Sequence, residues 1–150
     1  MLRLKEEIKR AASVGDEKGL KKAMDKYGEL INKNPVLKNA LAKYKQRSNE
    51  LLKHREKAEK YFLDGKYNLA LKEYQQILLL TDVKDSRKNF EIHRAITFVA
   101  IGKIHLKIGN KAMANKAFEN ALLEKIGSTH KNFIEKEIRS LKEKFRNKNE

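Results

Sequence analysis

The chain has 150 residues, enough for one domain with a real core, and carries 35 Lys and Arg against 20 Asp and Glu, a formal net charge of +15. The absence of cysteine excludes disulfides, thiol catalysis and cysteine-based metal sites, and no apolar run approaches the roughly 18–20 residues of a membrane-spanning helix. Hydrophobic residues at 40% beside charged residues at 37% are polar for a compact globule and fit a thin helical body whose helices each keep one face in water.

A single proline and seven glycines point to long helices joined by short turns. The first helix is expected from about Leu2 to Ser13, with Leu2, Leu4, Ile8, Ala11 and Ala12 inward. Val14-Gly15-Asp16 ends it and caps the next, because Gly tolerates a left-handed turn and Asp accepts from orphan N–H groups. The second runs to about Lys33, with Leu20, Ala23, Met24, Tyr27, Leu30 and Ile31 recurring at three- and four-residue steps. Asn34-Pro35 reads as N-cap and first helical residue of a third.

No breaker interrupts Pro35 to Asp64, and Leu37, Leu41, Tyr44, Ser48, Leu51, Ala58 and Phe62 keep near-heptad spacing, so one long helix is expected there. Its middle, Lys45 to Glu50, is polar all round. Gly65-Lys66 turns into a helix over Tyr67 to about Leu80. Thr81 to Asn89 is the longest loop candidate, with Asp85 and Ser86 as cap candidates. A helix over Asn89 to Lys107 follows, then Gly109-Asn110 and a helix from Lys111 to about Lys125. Beyond Gly127-Ser128-Thr129 a last helix carries the stripe Ile134, Ile138, Leu141 and Phe145, fraying from Arg146. No strand pattern is present.

Two stretches match at an offset of 44 residues, as from Ala58 to Gly102. Ala58, Tyr61, Gly65, Tyr67, Ala70, Tyr74 and Ile77 correspond to Gly102, His105, Gly109, Lys111, Ala114, Phe118 and Ala121. Small Ala58 or Gly102 permits close approach within a helix pair, Gly65 or Gly109 reverses the chain, and Ala70 or Ala114 seats the second helix. Aromatic Tyr74 or Phe118 fills the gap toward the next pair.

This pattern resembles the tetratricopeptide repeat, a helix–turn–helix unit of about 34 residues. The second copy is the better match: Phe98 stands where the family often has Trp and Ile101 where it has Leu. In the first, His54 replaces the opening aromatic. Neither copy has the family's closing proline, and the connection between them is about ten residues longer than tandem repeats leave. The resemblance implies an all-α fold, a solenoid of antiparallel helix hairpins with about seven helices. One domain over 1–150 is expected, with a degenerate hairpin at 1–34, repeats at 51–84 and 95–128, and a capping helix at 129–147.

The resemblance also implies a concave groove lined by the first helix of each pair, which in the family holds an extended peptide or a partner's helix. Carried over, the groove positions are Leu52, Arg55, Glu59 and Phe62 from one repeat and Ile96, Val99, Lys103 and Leu106 from the other. Phe62, Val99 and Leu106 would hold apolar side chains of a partner, with Arg55 and Lys103 supplying charge. The opposing expectation is that the C-terminal helix or a second protomer covers this face. One subgroup of the family clamps a partner's terminal carboxylate. Glu59 and Ala100 stand here where that clamp needs Asn, which argues against it.

No catalytic constellation emerges. His54, His93, His105 and His130 show no metal-ligand spacing, Gly65 and Gly109 are isolated turn glycines, and the carboxylates alternate with lysines as a solvated surface does. Neither enzyme chemistry nor a cofactor is expected. The Lys and Arg excess permits binding of nucleic acid or another acidic macromolecule, although the charge is not gathered in one stripe. Self-association through the long helix is the third expectation. The charged start Met1 to Glu7 holds no signal-peptide core, so the chain as given is expected in the cytoplasm, or in the periplasm or outside if a targeting segment has been removed.

Overall fold

A computed structural model describes residues 2–82 and 87–148, and the fold is all-α: seven helices and no strand among the described residues. They are α1 (Leu2–Ser13), α2 (Glu17–Lys33), α3 (Pro35–Leu63), α4 (Tyr67–Thr81), α5 (Arg87–Lys107), α6 (Lys111–Leu123) and α7 (Ser128–Lys148). None is long and apolar enough to cross a membrane. By packing, the chain divides into two compact units, residues 1–46 and 47–150. The division falls within α3, in the polar tract Lys45 to Glu50, yet the helix is continuous through it.

In the first unit α1 and α2 form a hairpin that buries Leu4 and Ala23. Asp16 accepts a 2.9 Å bond from the Gly19 amide, and the Asn34 side chain caps the start of α3 through the amides of Val36 and Leu37 at 3.1 and 3.3 Å. The buried set is thin, with Met24 and Leu30 exposed. An amphipathic hairpin with so little buried apolar surface has a small hydrophobic stabilisation to set against its conformational entropy.

The second unit holds two hydrophobic clusters. Leu51 and Ala58 of α3, Ala70, Tyr74 and Ile77 of α4, and Phe90 and Ile104 of α5 make the first. Ala95 of α5, Ala114, Phe118 and Ala121 of α6, and Ile134 and Ile138 of α7 make the second. The 44-residue repeat thus becomes two hairpins with equivalent burial: Ala70 and Ala114 are fully buried, as are Ile77 and Ala121, and Tyr74 and Phe118 fill matching places.

Both turns are also the same. Gly65 and Gly109 adopt φ of 74° and 84°, and the amides that follow, Lys66 and Asn110, bond back to the Tyr61 and His105 carbonyls at 2.8 Å. The α1–α2 turn repeats the device, with φ 70° at Gly15 and the Asp16 amide on the Ala11 carbonyl at 3.0 Å. His54, at the place of an expected aromatic, bonds Glu73 across the first hairpin at 2.6 Å. The equivalent pair in the second hairpin is Phe98, packed on the second cluster, and buried Ala117. A polar bridge therefore does in one copy what apolar contact does in the other.

The long connection differs from expectation in one respect. α5 begins at Arg87 rather than Asn89; Asp85 and Ser86 lie outside the described residues. Within α5, Phe90 and Arg94 are buried in the interior. The Arg94 guanidinium donates to the Leu78 carbonyl at 2.9 Å, to Thr81 Oγ1 at 3.0 Å and to Glu124 Oε1 at 2.9 Å. Arg94 therefore bonds the Leu78 carbonyl and the Thr81 hydroxyl at the end of α4, where the helix dipole also favours a cation, and ties them to the chain just past α6. Glu124 leaves the helix with extended backbone to meet it, which is why α6 stops at Leu123 rather than near Lys125. At the far end α7 stays helical through Lys148, beyond the expected fraying point, and its stripe of Ile134, Ile138, Leu141 and Phe145 faces inward.

Two stability predictions follow from this packing. Replacing Arg94 by Met takes the guanidinium away from the buried Glu124 carboxylate, at an expected cost of about 3–5 kcal/mol in denaturant unfolding. The double variant Arg94→Met with Glu124→Leu should recover much of that loss. At Gly102 a methyl group would run into the buried Phe118 ring. Although Gly→Ala inside a helix ordinarily stabilises, Gly102→Ala is expected to cost about 1–3 kcal/mol through overpacking. A rise in unfolding midpoint for that variant would contradict the close approach.

Candidate functional site

The two expected groove rows have the same spacing on their helices: Leu52, Arg55, Glu59 and Phe62 on α3, and Ile96, Val99, Lys103 and Leu106 on α5. Steps of three and four residues keep each set on one helix face. Two contacts bring the helices together. Arg55 Nη2 lies 3.3 Å from His93 Nδ1, and Lys103 Nζ sits 4.8 Å from the centre of the Phe62 ring. Both contacts advance in the same direction along the two helices, so α3 and α5 run side by side and parallel.

The eight positions are not equally open. Leu52 and Ile96 are 45% and 37% exposed, and Glu59 is exposed. Phe62 is half-buried on the first cluster and meets the Tyr67 ring edge-on at 5.6 Å between centres. Val99 and Leu106 pack against the second cluster, to which α7 contributes Ile134, Ile138 and the flanking Leu141. At the α5 end, then, Val99 and Leu106 share an apolar cluster with α7.

Burial shapes the charges along the α3 row. Desolvation pulls Arg55 below the usual guanidinium range, opposed by Tyr74 and by the Glu59 carboxylate, and at neutral pH it remains a cation. Tyr74 is raised, first by burial and then by Glu59, with Arg55 opposing. His93 is lowered, mainly by burial and secondly by the Arg55 charge, so its ring is neutral at pH 7 and its Nδ1 can accept from Arg55. The Phe90 ring packs against it, tilted by 51° with 5.9 Å between centres. The Arg55–His93 pair is invisible to residue patterns, because the two residues belong to different repeat positions and meet only through helix packing.

The remaining histidines lie apart. His54 is bound to Glu73, His130 is exposed, and His105 is half-buried at its aromatic-type position with burial holding its pKa low. No group of three metal-ligating side chains occurs among the described residues.

The lowered His93 sets a pH dependence. The unfolded chain takes up a proton near the ordinary histidine value of about 6.5 and the folded chain only below it, so stability is intact above that pH and falls as pH drops beneath it. Urea midpoints of the wild-type chain and His93→Gln, compared at about pH 7.5 and about pH 5.5, should show a smaller acid-induced loss in the variant. Equal losses would mean that His93 is not the group responsible.

Compared with protein-family models, with curated proteins and with solved structures, the chain matches none, so the tetratricopeptide resemblance rests on the repeat residues themselves.

Proposed function

We propose that the chain is a tetratricopeptide-like adaptor, with no catalytic chemistry of its own, that docks a peptide or helix of a partner protein along the face shared by α3 and α5. The observation that carries this reading is the parallel adjacency of the two helices, with open Leu52 and Ile96 on the rows that also hold Arg55 and Lys103. Large apolar side chains beside fixed cations are what a helix-in-groove or extended-peptide site offers: the apolar residues give contact area, and the charges set register and orientation. Half-burial of Arg55 favours this further, because a guanidinium already partly desolvated loses less hydration on binding than one in open water.

The solenoid arrangement belongs to the same proposal. α7 lies against α5 and α6 and contributes to the second cluster as the opening helix of a further repeat would, which suits a cap that ends the array. In that case the docking face is the α3 side together with the exposed edge of α5, and Val99 and Leu106 support it from behind.

The test uses the two open apolar positions. Leu52→Glu with Ile96→Glu adds charge where the side chains are already exposed, so helicity measured by circular dichroism should be unchanged. Affinity capture from cell lysate, washed at low and at high salt with and without nuclease, should recover protein partners with the wild-type chain and lose them with the double variant. Capture of nucleic acid alone, released as salt rises, would instead favour the basic surface as the functional feature.

A further inference from the structure

At one end of the α3–α5 face, Phe62, Leu63, Tyr67, Lys103, Lys107, Lys144 and Phe145 line a cleft of about 240 Å³. Three lysines and three aromatic rings surround it, and no carboxylate is among the lining residues; the acids nearest in sequence, Asp64 beside Leu63 and Glu143 beside Lys144, are both exposed. Three ammonium groups around one small space repel one another, and Lys103 lies over the Phe62 ring at 4.8 Å. An anion entering the cleft removes that repulsion.

Size and ring geometry decide what kind of anion. The volume falls below the roughly 300–1,000 Å³ of pockets that enclose a whole small-molecule ligand, so the cleft suits a single side chain rather than a nucleotide. Stacking a base needs an open ring face. Lys103 covers a face of Phe62, Tyr67 meets Phe62 edge-on, and Phe145 is 9% exposed. What remains is an apolar floor with a basic rim.

We infer that this cleft takes one apolar side chain of an acidic segment of a partner protein, with carboxylates next to that side chain engaging Lys103, Lys107 and Lys144. The inference deepens the adaptor reading and rests on it, because it names the chemistry of the docked segment and where on the face its end is held. Charge complementarity chooses the partner: a chain of net charge +15 attracts acidic segments at long range, and this cleft adds a place where attraction becomes positional.

The probe is a fluorescein-labelled synthetic peptide with one Phe or Leu flanked by Asp and Glu, titrated by anisotropy into the full chain. Two control peptides replace the acids by Asn and Gln, or the apolar residue by Ser. The expected result is binding of the first peptide only, weakened at least about tenfold in Lys107→Glu with Lys144→Glu, whose exposed positions leave the fold intact by circular dichroism. Unchanged affinity in that variant, equal binding of the Ser control, or tighter binding of a single-stranded oligonucleotide that is lost in the same variant would each overturn the inference. Failure here is distinguishable from failure of the adaptor reading. If Lys107→Glu with Lys144→Glu still captures protein partners from lysate while Leu52→Glu with Ile96→Glu does not, the face stands and the cleft assignment falls.

Discussion

One buried cation ties the two hairpins of the 47–150 unit together. Arg94 reaches from α5 to the carbonyl end of α4 and to Glu124 just past α6, joining three pieces of chain with 2.9–3.0 Å bonds. Its value lies in the asymmetry of buried charge. Together the ion pair and the bonds to the Leu78 carbonyl and Thr81 hydroxyl compensate the desolvation of the buried charges. Aliphatic contact between alanine-rich helices has little shape specificity. Arg94 supplies it at the junction where the connection is longest and sliding of one hairpin on the next would otherwise be easiest.

That same alignment sets the face on which function is proposed. Once α5 is fixed against α4, its outer row stands parallel to α3, and the Arg55–His93 and Phe62–Lys103 contacts close the seam between them. Small residues make the approach close: Ala58, Ala70, Ala95 and Ala114 are fully buried, and Gly102 lies under the Phe118 ring. The polar exteriors that give the chain its charge are therefore displayed on a framework whose close helix approach depends on buried alanine and glycine.

Helices, turns and the repeat were legible because each follows from local chemistry. Gly15, Gly65 and Gly109 must reverse the chain with positive φ, Asp16 and Asn34 cap, and three- and four-residue apolar spacing gives the faces. The stripe of α7 was readable for the same reason. The site was legible only as two rows of side chains. That Val99 and Leu106 support α7 while Leu52 and Ile96 stay open depends on which neighbour reaches each row, and periodicity carries no such information. Arg94 and Glu124 were missed because a charged residue on a helix reads as solvated until a distant partner desolvates it. Lys107 and Lys144 likewise meet at one cleft only through the packing of α7.

Partner docking on the proposed α3–α5 face can be read by lysine footprinting with mass spectrometry, the chain being acetylated alone and in complex with a captured partner. Protection of Lys103 and Lys107 is expected, with Lys72 on α4 and Lys116 on α6 labelled equally in both states. Protection confined to α4 and α6, or to lysines of residues 1–46, would contradict it.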